Sequence, residues 1–150
     1  MSPPILAILD SDLKAPQPAL HKAQQIADAR QVPLHVLVNA YSSAMVRAVG
    51  VDQERQNAAR AQIHKAWQKS IGELTDRDDC ELSILWQKDS MAALRDSILV
   101  LGPAMVVVHT SEEGVLRRHL FTPRDWQLIR KAPCPVLCVH GRQWASSPKI

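Results

Sequence analysis

Cys134, Cys138 and His140 stand at even spacing near the end of the chain. On an extended strand their side chains share one face, and two thiolates with an imidazole form a soft-metal donor set. No fourth ligand accompanies them, and cysteine is among the most buried residue types, so structural thiols are expected here and no metal. A second constellation pairs Asp10 with His109, a carboxylate and an imidazole that can exchange a proton if the fold brings them together. Ser11, Thr110 and Ser111 lie close to them in sequence. No motif places any of the three as a nucleophile, so no catalytic residue is assigned. A third group sets Arg117, Arg118 and Arg124 against Glu112 and Glu113. Guanidinium forks can hold an anionic headgroup or phosphate, but charge runs on loops are commonplace and a solvated loop is the preferred reading.

These residues must be positioned by an alternation of short apolar runs and helical patterns, the signature of a parallel sheet covered on both faces. Strands are expected over roughly 4–9, 33–39, 81–87, 104–109 and 135–140. Pro18 suits the first position of a helix with Leu20, Ala23 and Ala27 on one face, ending near Arg30. From Gln53 to Leu74, Ile63, Trp67, Ile71 and Leu74 recur at helical spacing. The third strand alternates Leu82, Ile84 and Trp86 with Glu81, Ser83 and Gln87, which suits a sheet edge. A helix bearing Met91, Leu94, Ile98 and Leu101 follows, stopped by Gly102-Pro103. Met105 to Val108 is expected to be fully buried, and a last helix to begin at Thr122-Pro123-Arg124-Asp125 with Trp126, Leu128 and Ile129 facing the sheet. The three tryptophans Trp67, Trp86 and Trp126 are read as core or edge packing.

In such a sheet, ligands sit outside the carboxyl ends of the strands, where strand order reverses. Those ends carry Asp10, Asn39, Lys88 with Asp89, and the stretch from His109. The hypothetical ligand crevice takes Asp10, Asn39, His109 and Thr110 from these ends, with Glu112 and Thr122 added by the resemblance described below.

Bulk properties set the frame. The chain has 150 residues, 46% of them hydrophobic, enough for one domain with a sizeable core. That domain is assigned to 1–142, with 143–150 as a tail or linker. Charged residues make up 22%, mixed in sign, for a net charge of +3, too mild to argue for nucleic acid. No run reaches membrane-spanning length, and the apolar stretch Ile5 to Leu9 is too short, and lacks the basic flank, for an export signal. A cytoplasmic setting with Cys80, Cys134 and Cys138 as free thiols is expected.

From Ala104 to His140 the chain resembles the last third of a universal stress protein: a buried strand, a loop, a helix, then Ala132-Pro133-Cys134-Pro135-Val136-Leu137 entering the final strand. The opening strand ending at Asp10 is similar too, while Tyr41 to Asp79 matches only in helical character. The resemblance implies a five-stranded parallel sheet of order 3-2-1-4-5. Members that hold ATP carry Gly-x-x-Gly-x9-Gly-Ser or Gly-Thr, whose backbone N–H groups close around phosphates at a helix N-terminus. Counting back without gaps from Cys134 puts His109, Glu112 and Thr122 at the three glycines and Pro123 at the Ser. Pro123 offers neither hydroxyl nor N–H, and Glu112 would repel phosphates. Of the family's nucleotide pocket only Asp10 matches, near the adenine.

The replacement string Phe121-Thr122-Pro123-Arg124-Asp125-Trp126 resembles the N-terminal half of the tandem, universal stress protein E type. The tail ending Lys149-Ile150 could likewise lead into a second domain. The implied function is that of a non-enzymatic stress-response module with no cofactor, acting by dimerisation and protein interaction. The alternative is an apolar or anionic small-molecule binder at the ends of strands 1 and 4, with residual ATP binding the weakest of the three. Dimerisation is expected through Val136, Leu137, Cys138, Val139 and His140, an apolar edge without lysine. In a tandem protein a second domain would cover the same edge.

Overall fold

Each of the five apolar runs forms a strand. The computed structural model describes residues 2–110 and 133–140. It contains β1 (Ile5–Ile8), α1 (Pro18–Arg30), β2 (Leu34–Asn39), α2 (Ser43–Val49), α3 (Gln53–Leu74), β3 (Glu81–Leu85), α4 (Ser90–Leu101), β4 (Met105–Thr110) and β5 (Val136–His140). The strands are parallel in the order β3-β2-β1-β4-β5, as expected. The chain steps from β1 to β2 to β3 in one direction, then crosses back to β4. Right-handed crossovers therefore place α1 and α3 on one face and α4 on the other.

The period-2 alternation of the strands separates two cores. On one face Ile5 and Ala7 of β1, Val36 and Val38 of β2 and Val107 of β4 pack with Leu20, Ala23 and Ala27 of α1 and Trp67 and Ile71 of α3. On the other, Leu6, Leu37 and Val106 pack with Ile98 of α4. Ala23 and Ala27 are fully buried, because their small side chains let α1 lie close on the strands.

Helix ends follow from local chemistry. Pro18 occupies the first turn of α1, where its missing N–H costs nothing. Asp52 caps α3 by accepting from the N–H groups of Glu54 and Arg55 at 3.0 and 3.4 Å. Asp89 caps α4 through the N–H of Ala92. Gly102 closes α4 in the left-handed conformation at φ 60°, which glycine adopts without a Cβ penalty.

Two expectations need correction, and one element is new. Within β4 only Val106 and Val107 are fully buried, whereas Met105 and Val108 are half-buried. Strand β3 stops at Leu85, its partner being Asn39 at the end of β2. Trp86 thus lies past the strand, with the Arg60 guanidinium of α3 5.1 Å from its ring, a cation–π contact. Helix α2 adds an element that the periodicity does not announce: seven residues ended by Gly50 at φ 67° are too short to carry a periodic signal. The helix expected at Thr122, with Trp126, Leu128 and Ile129, lies outside the described residues, as does the tail 143–150.

The connection from α3 to β3 is held by Arg77. Its guanidinium donates to Asp28 of α1 at 2.6 Å, to both carboxylate oxygens of Asp79 at 2.8 Å, and to the Val32 carbonyl at 2.8 Å. The paired hydrogen bonds to Asp79 hold that carboxyl below its usual range and Arg77 more firmly protonated than usual.

Candidate functional site

The order reverses between β1 and β4, and their paired residues end at Ala7 with Val107. Beyond that point β1 runs into a loop tied down by one buried side chain. Gln17, 2% exposed, accepts from the Asp10 N–H at 2.9 Å through Oε1 and donates to the Asp10 carbonyl at 3.1 Å through Nε2. Both polar ends of the amide are thus satisfied although the residue is buried. The Asp10 carboxylate is exposed and accepts from the Asp12 N–H at 2.8 Å. Asp12 repeats the arrangement with the Lys14 N–H. These are Asx turns, and they use Asp10 to shape the loop.

Asn39 is used in a similar way. Its Oδ1 accepts from the N–H groups of Tyr41 and Gln87, and its Nδ2 donates to the Gln87 carbonyl at 2.9 Å. The side chain therefore ties the end of β2 to the end of β3, and most of its hydrogen-bonding capacity is spent there.

Beside this bridge a cavity of about 350 Å³ opens at the carboxyl ends of β1, β2 and β3. Its apolar lining comes from Ile8, Leu9 and Leu94, and Ser11, Tyr41 and Lys88 bring polar groups to it. The volume and mixed lining suit a small ligand. Of the six crevice residues expected from sequence, Asn39 lines this cavity, while Asp10 and His109 do not. His109 and Thr110 sit at the end of β4, opposite Val139 and His140 of β5. Glu112 and Thr122 lie outside the described residues, as do Ser111, Gly114, Arg117, Arg118 and Arg124. Tyr41, Lys88 and Gln17 complete the region; Lys88 was legible as a strand-end residue, whereas the clamp by Gln17 had no signal beyond its place before Pro18.

Strand β5 holds the other set of candidates. Val136, Leu137, Cys138, Val139 and His140 pair in parallel with Val106 to Thr110, and β5 ends the sheet order. Leu137 packs beside the α1 core and Val136 beside the α4 core. Cys80, Cys134 and Cys138 form no disulfide among the described residues. Burial, with help from Asp79, pushes the Cys80 thiol up to about 11, and burial also raises Cys134. Thiols held protonated at neutral pH are poor nucleophiles and poor metal ligands. Among the described residues no three His, Cys, Asp or Glu side chains gather where a metal ion could bind, and no described helix is long and apolar enough to cross a membrane.

Residues 1–140 match the universal stress protein family. Among curated relatives, a universal stress protein E homolog of Haemophilus influenzae is 25% identical over 137 residues, covering 88% of this chain and 44% of its own. Universal stress protein E of Photorhabdus laumondii is 25% identical over 97% of this chain and 48% of its own. The chain thus spans about half the length of the curated relatives it matches. In structure it is similar to the universal stress protein UspA of Lactobacillus plantarum, with a TM-score of 0.62, 18% identity and coverage of 93% and 99% of the two chains. With 140 residues matched and the 3-2-1-4-5 sheet in place, the chain belongs to the universal stress protein family.

Proposed function

We propose that this chain is a cytoplasmic stress-response module that acts by pairing along β5 with a second universal stress protein domain, and that it does not take ATP. The partner is another copy of the chain, or a following domain if the sequence is half of a tandem protein. The observation that carries this reading is the place of β5 at the end of the sheet, with an apolar sequence and no lysine. An edge strand of this composition favours pairing with another edge. A copy related by a two-fold axis would meet it antiparallel. In support of the second part, no glycine stands at His109, Glu112 or Thr122, where nucleotide-holding relatives would cradle phosphate with backbone N–H groups. No catalytic step is assigned to the crevice.

Leu137→Lys is expected to convert a sedimenting dimer to monomer, since each interface buries the new charge twice. A wild-type chain that stays monomeric at high concentration overturns the pairing. Millimolar ATP is expected to leave the melting temperature unchanged. A ligand at a hundred times its dissociation constant adds about 2.7 kcal/mol of stability, so a saturable rise would refute the second part.

A second reading rests on the 350 Å³ cavity. Its apolar lining with Lys88 at its edge suits a small molecule carrying an anionic group. Native mass spectrometry of the purified chain checks this: a bound small mass that Lys88→Ala removes supports it.

A further inference from the structure

A cavity of about 540 Å³ lies away from the crevice, at the outer edge of the sheet, where His35, Glu81 and Ser83 all contribute to its lining. The parallel register explains how they meet. His35 of β2 pairs with Glu81 of β3, and Ser83 is two residues along the same strand, so the three side chains share one face. His35 Nε2 is 2.8 Å from Ser83 Oγ. On the other side of the ring, Nδ1 is 3.4 Å from Glu81 Oε1. With the ring proton on Nδ1, on the side of the Glu81 carboxylate, Nε2 accepts from the Ser83 hydroxyl. That tautomer is the one a general base requires.

We propose that Ser83, His35 and Glu81 form a nucleophile, base and orienting carboxylate that open a short acyl ester in this cavity. Nucleophile and base are within hydrogen-bond reach, and a carboxylate lies 3.4 Å from the other ring nitrogen, close to the arrangement expected of an activated hydroxyl. Burial of the ring outweighs the Glu81 charge and lowers the His35 pKa below 6.5, so the imidazole is neutral at pH 7 and able to take a proton. The charged and titratable groups around it are Glu81 beside the ring, with Arg77 and Cys80 in the same cavity lining.

In the reaction, the Ser83 hydroxyl proton passes to His35 Nε2 as the Oγ–carbon bond forms. The same proton leaves with the alcohol as the ester C–O bond breaks. Water then attacks the acyl-serine with its proton taken by Nε2, and the return of that proton to Oγ releases the acid and restores Ser83. Glu81 is mostly exposed, its side chain at 78%, and its separation from Nδ1 exceeds a hydrogen bond. It is a positioning residue with a smaller share than His35.

The test is phosphonylation of the intact chain by a fluorophosphonate, in which Oγ–P forms, P–F breaks and fluoride leaves. Peptide mass spectrometry is expected to find Ser83 labelled ahead of Ser70 and Ser97. His35→Gln should slow labelling at Ser83 about 100-fold and Glu81→Gln about tenfold, with Ser83→Ala giving no label at that peptide. Since removing a buried His can perturb folding, the wild-type pH profile is a second readout. The rate should rise with pH and level off with a midpoint below 6.5. Labelling of Ser83 no faster than of Ser70 overturns the proposal. So does a rate that climbs in proportion to hydroxide without a plateau, or one unchanged in a folded His35→Gln chain.

Discussion

Trp67→Ala is expected to lower the stability of the chain by about 3–5 kcal/mol, more than any other single truncation in the core between α1, α3 and the sheet. Trp67 is 2% exposed in the middle of α3 and belongs to the core that joins α1 and α3 to the sheet. It is also the largest side chain in that core, and the neighbouring Ile63 and Leu74 are only partly buried. Neighbours on one helix cannot collapse into a void of indole size, so both the transfer and the cavity contribution are lost. For a chain of this length each kcal/mol shifts the melting temperature by roughly 2–4 °C. A fall of about 10 °C is therefore expected in thermal unfolding followed by circular dichroism. Trp67→Phe, which keeps an aromatic ring, should lose less than half as much. A Trp67→Ala chain melting within about 2 °C of wild type would show that α3 does not depend on this contact.

Arg77→Ala should cost about 2 kcal/mol, the second largest effect expected. The number is smaller than the four hydrogen bonds suggest because Asp28 and Asp79 are more than half exposed, at 55% and 53%. Water screens both ion pairs, and each falls towards the range of surface pairs. The bond to the part-buried Val32 carbonyl contributes most reliably, since losing it leaves that oxygen without its donor. Arg77→Lys should recover little, because an ammonium cannot serve a bidentate carboxylate, a second carboxylate and a carbonyl in one plane.

The pH dependence follows from the depressed pKa of Asp79. Such a group contributes stability above the pKa of the unfolded chain, and that contribution is lost as pH falls through the lower, folded value. Urea unfolding of wild type and Arg77→Ala should therefore converge on acidification below about pH 4. Curves that stay the same distance apart would contradict the role given to this ion pair.

The order of the sheet was implied by the family resemblance, whereas the strands and three of the four described helices were legible in the residues themselves, for a physical reason. Each depends on periodicity and punctuation that act within a few residues: Pro18 starting α1, the Ile63-Trp67-Ile71 spacing of α3, Gly102 closing α4. Parallel strands buried on both faces leave continuous apolar runs such as Met105 to Val108, and the alternation of such runs with helices admits few topologies. Helix α2 escaped because seven residues contain too little repetition. The strand-end positions of Asp10 and Asn39 were equally legible, but what they do there was not. Whether a polar side chain faces a ligand or its own backbone depends on groups distant in sequence: Gln17 for the Asp10 loop, Gln87 for Asn39. Likewise His35 and Ser83 are 48 residues apart, and only the parallel register of β2 and β3 makes them neighbours. Local spacing determines which segments form strands and helices, whereas hydrogen bonds between elements, which tertiary packing alone creates, decide which polar groups are spent on structure and which remain for chemistry.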